Sequence, residues 1–143
     1  MENKDFHRAI TVNTSAAEVM KKISQVGHWW AKNFKGSAEK LNDKFTVTFG
    51  QTFVDFQISE FVPDKKIVWK VTDCNLHWIQ AKKEWNGTEV VFELTPKNEA
   101  IQLDFTHVGL VPGVECYETC EEGWSGHIIS LADFINKGVG RPE

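Results

Sequence analysis

Four side chains near the C-terminal end have the types that do chemistry: His107, Cys116, Cys120 and His127. The two thiols stand in a C-x-x-x-C arrangement, with the histidines as conceivable completers of a zinc site. Structural zinc sites instead use paired ligands at short spacing, such as C-x-x-C with a second pair, so no metal is expected. Thiolate chemistry needs a base and an electropositive setting. Glu118, Glu121 and Glu122 make this neighbourhood acidic, which disfavours a cysteine nucleophile. General acid–base work by His107 or His127 requires a substrate within reach and a pKa near working pH. The sequence supplies one polar cluster for that role and no complete constellation. It contains no phosphate-binding glycine loop, no His-Glu-x-x-His and no Gly-x-Ser-x-Gly. Asp55, Glu93 and Asp104 fall on outward strand parity, and only Arg8 intrudes on an inner one. Neither a cofactor nor a catalytic residue is therefore expected, and a binding role is favoured over enzymatic chemistry.

The stronger signal is aromatic. The chain has ten Phe and six Trp but one Tyr. Rings of this size bury about 150–250 Å² each, enough to fill a large core or wall a large pocket. Strand parity puts Phe49, Phe56, Trp69, Phe92, Phe105 and His107 on one sheet face. Helical spacing gathers Cys120, Trp124 and His127 on one side of a C-terminal helix. These two sets should face each other across a pocket, with Trp69, Phe105 and Trp124 as walls. For any single ring, ordinary core packing is the competing account. His107 either orients a ligand's polar group or bonds a backbone carbonyl in the 111–114 loop. Of Trp29 and Trp30, either one ring packs inward, with Trp30 at the pocket, and the other reaches the surface as a homodimer contact or ligand gate, or both rings cover the sheet edge.

The elements that position these residues follow from periodicity. Residues 5–13 alternate as a strand. Ser15 followed by Glu18 matches a capping box, and Val19, Met20, Ile23 and Val26 continue at helical spacing. Gly27 ends that helix, and a second short helical piece begins at His28. Residues 36–42 read as loop. Phe45, Val47 and Phe49 lead through a Gly50-Gln51 turn into Val54, Phe56 and Ile58, a hairpin signal. Ile67, Trp69 and Val71 share the next strand's face. Asn86-Gly87 should join strand 81–85 to strand 88–96, and residues 100–109 form the next. Residues 120–137 read as a long helix with a Trp124, Ile128, Leu131, Phe134 and Ile135 stripe, stopped by Gly138. Consecutive strands imply an antiparallel sheet. The expectation is an α+β fold in one domain over residues 1–143: a curved antiparallel sheet of about six or seven strands around the C-terminal helix.

Net charge is −4 with both signs interspersed, which argues against nucleic acid as a partner. No apolar run approaches the roughly 20 residues of a spanning helix. The polar residues 1–10 hold no signal peptide. Three cysteines cannot all pair within one chain, so free thiols and a cytoplasmic location are the simplest expectation.

Four segments carry a resemblance. They are the strand-to-helix opening over residues 10–23, the Trp29-Trp30 pair, Ile67-Val68-Trp69, and Phe105-Thr106-His107-Val108-Gly109-Leu110 followed by Cys120-Glu121-Glu122-Gly123-Trp124. The chain resembles the START-like (SRPBCC) superfamily, and within it the small proteins similar to the C-terminal domain of the heat-shock-protein-ninety ATPase activator. The resemblance implies a helix-grip fold with a cavity between sheet and helix, and an apolar or amphipathic small-molecule ligand. A co-chaperone-like interaction with another protein is the alternative it raises.

Overall fold

A computed structural model describes residues 5–143; residues 1–4, part of the polar start read above as leaderless, lie outside the described residues. The chain runs β1 (Phe6–Val12), α1 (Ala16–Ser24), α2 (Val26–Trp29), β2 (Asn33–Gly36), β3 (Lys44–Phe49), β4 (Thr52–Val62), β5 (Lys66–Asn75), β6 (Glu89–Lys97), β7 (Ala100–Val108) and α3 (Tyr117–Lys137). All seven strands join one antiparallel sheet in the order β1-β7-β6-β5-β4-β3-β2. The helix-grip architecture expected from the sequence is the one observed.

Strand alternation sets the two sheet faces. In β7, Ile101, Leu103, Phe105 and His107 are buried while Gln102, Asp104 and Thr106 are only partly covered. Register shifts in the β4–β5 ladder, between Asp55 and Phe56 and between Ile58 and Glu60, mark bulges of the kind that bend a sheet. Over the inner face lies α3, packed against β1, α1 and α2. Its expected stripe, Trp124, Ile128, Leu131, Phe134 and Ile135, is buried. Each such aliphatic or Phe side chain contributes about 1.5–3 kcal/mol on burial. Helix ends follow their local signals. The Ser15 hydroxyl accepts the Glu18 N–H at 3.1 Å, and Gly138 closes α3 in the left-handed conformation, φ 82°, with its N–H on Phe134 O.

Several expectations are corrected. The break between the first two helices falls at Gln25, and Gly27 lies inside α2. Residues 33–36, outside the strands read from sequence, form the edge strand β2, whose alternation is too short to register. Residues 81–85 are no strand: 76–88 fold as a turn-rich loop. Trp29 and Trp30 are both buried, so neither offers a surface ring. Cys116 and Cys120 are brought within disulfide-forming reach of one another while Cys74 is buried apart from them, so the free-thiol expectation holds for Cys74 and not for that pair. One helical turn separates the pair, which places their Cα atoms 5.6 Å apart, within disulfide range. Among the described residues no helix is long and apolar enough to cross a membrane.

Gly126 sits exposed in the interior of α3, and a Cβ there would meet nothing within 4 Å. Gly126→Ala should therefore stabilise the protein by about 1 kcal/mol through helix propensity alone. Urea denaturation checks this, and a loss of stability would show a contact at that face.

Candidate functional site: an aromatic cleft at the start of the long helix

Five residues of α3, Thr119, Cys120, Gly123, Trp124 and His127, form one wall of a cleft of about 340 Å³. Trp30, just after α2, faces them with its ring centroid 4.8 Å from that of Trp124 and 5.9 Å from that of His127. Phe49, Thr52 and Val54 come from the β3–β4 hairpin, and Leu76, Trp78 and Trp85 from the 76–88 loop. The C-terminal tail completes the mouth. The Lys32 N–H donates to Glu143 O at 2.8 Å and the Glu143 N–H to Trp30 O at 2.9 Å, which sets the Glu143 side chain at the rim.

The 76–88 loop is held by a reciprocal carboxylate clamp. The Glu115 carboxylate accepts the N–H groups of Gln80 and Ala81, and the Glu84 carboxylate accepts those of Glu115 and Cys116, all at 2.9 Å. The two backbone donors hold the Glu115 carboxyl below its usual range. Inside the loop, Lys82 Nζ donates to His77 O and Ile79 O at 2.9 Å. These contacts turn the expected strand into a wall carrying Trp85 inward and Trp78 half-exposed at the mouth.

Of the residues read from sequence as pocket lining, Trp30, Phe49, Cys120, Trp124 and His127 border the cleft. Phe56, Trp69, Phe92 and Phe105 do not. They interlock behind it, with Phe56–Trp69 centroids 5.4 Å apart, Trp69–Phe92 4.8 Å, Phe92–Phe105 5.3 Å and Phe105–Trp124 4.6 Å. The long residues of the inner face fill the sheet's centre, and the cleft lies at the end where α3 begins.

His107 lies among these packed groups. The Trp124 indole N–H donates to its Nδ1 at 3.0 Å. Its Nε2 lies 2.9 Å from Thr88 Oγ1, and that hydroxyl donates to Trp85 O at 2.6 Å. An indole nitrogen only donates and a carbonyl only accepts. The chain of bonds therefore fixes a neutral imidazole with its proton on Nε2. Burial pushes its pKa down to about 3. Protonating Nδ1 would also turn a donor against the indole N–H. His107 thus has both nitrogens engaged within the protein and is neutral near neutrality, which leaves neither nitrogen free to orient a ligand. Gly109 belongs to the same arrangement. It adopts φ 102°, and a Cβ there would stand 2.7 Å from Thr88 Cγ2.

His127 differs. It faces the cleft, and burial lowers its pKa against a smaller upward pull from Glu143, whose Oε2 is 3.7 Å from Nε2. Arg8 turns to α3 and donates from Nη2 to Ser125 Oγ at 2.9 Å. Among the described residues no group of three or more His, Cys, Asp or Glu is placed to share a metal ion. Sequence reasoning missed Thr52, Val54, Leu76, Trp78, Trp85, Thr119, Gly123 and Glu143 as lining. Trp78 and Trp85 had a usable signal, two large rings in a segment with weak alternation. Glu143 had none, because the tail's return depends on long-range bonds.

The sequence matches the family model of the Activator of Hsp90 ATPase homolog 1-like proteins over residues 18–136. No curated protein gives a match. Among solved structures, the Aha1 dimer from Colwellia psychrerythraea superposes with a TM-score of 0.77 at 19% identity, over 95% of this chain and 98% of that one. DynU16, from the dynemicin biosynthetic locus, gives 0.69 at 17% identity, over 97% of this chain and 49% of that one. CalU16 from Micromonospora echinospora gives 0.69 at 15% identity, over 94% and 75% respectively. At these identities the likeness is one of fold.

Proposed function

We propose, from the premise that this chain belongs to the Activator of Hsp90 ATPase homolog 1-like family, that it is a single START-like domain which binds an apolar or amphipathic small molecule in the cleft at the start of α3. One observation carries the reading. The sheet's centre is filled, yet a cleft of about 340 Å³ remains, walled by Trp30, Phe49, Trp78, Trp85 and Trp124 with a few polar groups at its edge. Concave, mostly aromatic sites with sparse polar groups are the usual form of small-molecule pockets. A thermal-shift screen of neutral hydrophobic compounds, paired with native mass spectrometry of the purified protein, tests this. The reading expects a retained adduct or a raised melting temperature that saturates with ligand. Uniformly flat responses across such a library would remove it.

A second reading, a protein-interaction module that pairs with another copy of itself, draws on the dimeric state of the Colwellia relative. Sedimentation velocity expects a dimer, and a monomer at every concentration would dismiss this reading.

A further inference from the structure

The charge of the cleft is one-sided. Among the described residues none of its walls is a lysine or an arginine. Its single basic group, His127, has a side chain only 16% exposed, and burial keeps that imidazole towards the neutral form. Its single carboxylate is Glu143, 70% exposed at the mouth and tied there by the backbone bonds to Trp30 and Lys32. Four indoles, Trp30, Trp78, Trp85 and Trp124, line the cleft, and of these only Trp78 is substantially exposed, at 47% against 7% or less for the others. The face of an indole is the negative part of its quadrupole and attracts a cation within about 6 Å of the ring centre. An anion meets the repulsive side of the same field, faces Glu143, and gives up its water without an oppositely charged partner.

We propose that the cleft selects for positive charge: its ligand is an apolar molecule bearing a quaternary or tertiary ammonium group, with the apolar part inside the cleft and the ammonium at the mouth, where the exposed Trp78 ring and the Glu143 carboxylate lie, and anionic amphiphiles are rejected. This rests on the small-molecule reading above and names its ligand class. Trp30 and Trp124, in ring contact with centroids 4.8 Å apart, close the inner end of the cleft, and Trp78, 47% exposed, offers the open ring at its mouth. Glu143 supplies the countercharge from a tail whose position does not depend on the carboxylate itself.

Three probes of similar shape separate the possibilities: benzyltrimethylammonium, its carbon isostere neopentylbenzene, and the anion 3-phenylpropanoate. Each is titrated against the full chain and against Glu143→Gln, with tryptophan fluorescence as readout and thermal melts to confirm folding. The ammonium should bind at least about tenfold more tightly than the anion, within the range that cation–π and charge terms allow. Glu143→Gln should weaken the ammonium about threefold and leave neopentylbenzene unchanged. Equal or tighter binding of the anion overturns the inference while leaving the cleft a binding site. Binding of the ammonium that is indifferent to Glu143→Gln also overturns it. If none of the three binds, the small-molecule reading itself falls and the inference with it.

Discussion

Trp124→Ala is expected to cost about 3–5 kcal/mol of folding stability, the range for a buried aromatic truncated to alanine. Its indole is the joint between cleft and core. It is 1% exposed, packs 4.6 Å from Phe105 and 4.8 Å from Trp30, and stacks on Trp85 at 5.9 Å. It also donates the bond that satisfies His107 Nδ1. Removing it opens a cavity and orphans a buried acceptor together. Trp124→Phe separates the two effects. It keeps a ring in place and should cost about 1–3 kcal/mol, chiefly for the unsatisfied nitrogen. Urea unfolding of both variants measures these values. A loss below about 1 kcal/mol for the alanine variant would mean that the helix start is not packed as described.

Stability should fall by about 2 kcal/mol between pH 7 and pH 5 on account of His107. The folded imidazole resists protonation until about pH 3, whereas the unfolded one accepts a proton near its ordinary value of 6.5. Between those limits the unfolded chain holds more protons, so acidification favours unfolding across that window. His127, also lowered by burial, acts with the same sign. The carboxylates held low by hydrogen bonds, Asp43, Asp73, Glu115 and Asp133, lose their contribution only at lower pH, as each protonates below its ordinary range. The interval from pH 7 to pH 5 therefore isolates the histidines. Urea midpoints at the two pH values read the slope directly. In His107→Gln, whatever stability remains, the slope should shrink to the part due to His127. A wild-type stability that is flat across this interval would contradict the neutral, doubly bonded His107.

The fold was legible because its periodicities are long. Residues 100–108 and 117–137 each carry a stripe that survives several repeats, and Ser15 and Gly138 mark helix ends by local chemistry. What escaped depends on distant partners. The 76–88 loop looks strand-like at Trp85, yet its shape is set by Glu115, about 35 residues on, through the reciprocal clamp with Glu84. Parity placed Phe56, Trp69, Phe92, Phe105 and His107 on the inner face, as observed, but parity has no means to say which inward side chains touch one another and which leave space. That distinction arises from the volumes of rings on neighbouring strands, and it moved the cleft away from His107 towards Gly123 and His127. The role of His107 shows the same limit. A histidine on an apolar face reads as a ligand group until Trp124 and Thr88 are seen to occupy both of its nitrogens.

Gly123 gives the most direct handle on the central claim. It lines the cleft, and the nearest atom to a Cβ placed there is His127 Nε2 at 4.0 Å, so a larger side chain extends into open space. The decisive measurement is a fluorescence titration with the neutral probe N-phenyl-1-naphthylamine on the wild-type chain and on Gly123→Phe. Saturable one-to-one binding to the wild type is expected, with affinity reduced at least about tenfold in the variant at an undiminished melting temperature. Absence of saturable binding, or equal binding by both proteins, would contradict the claim.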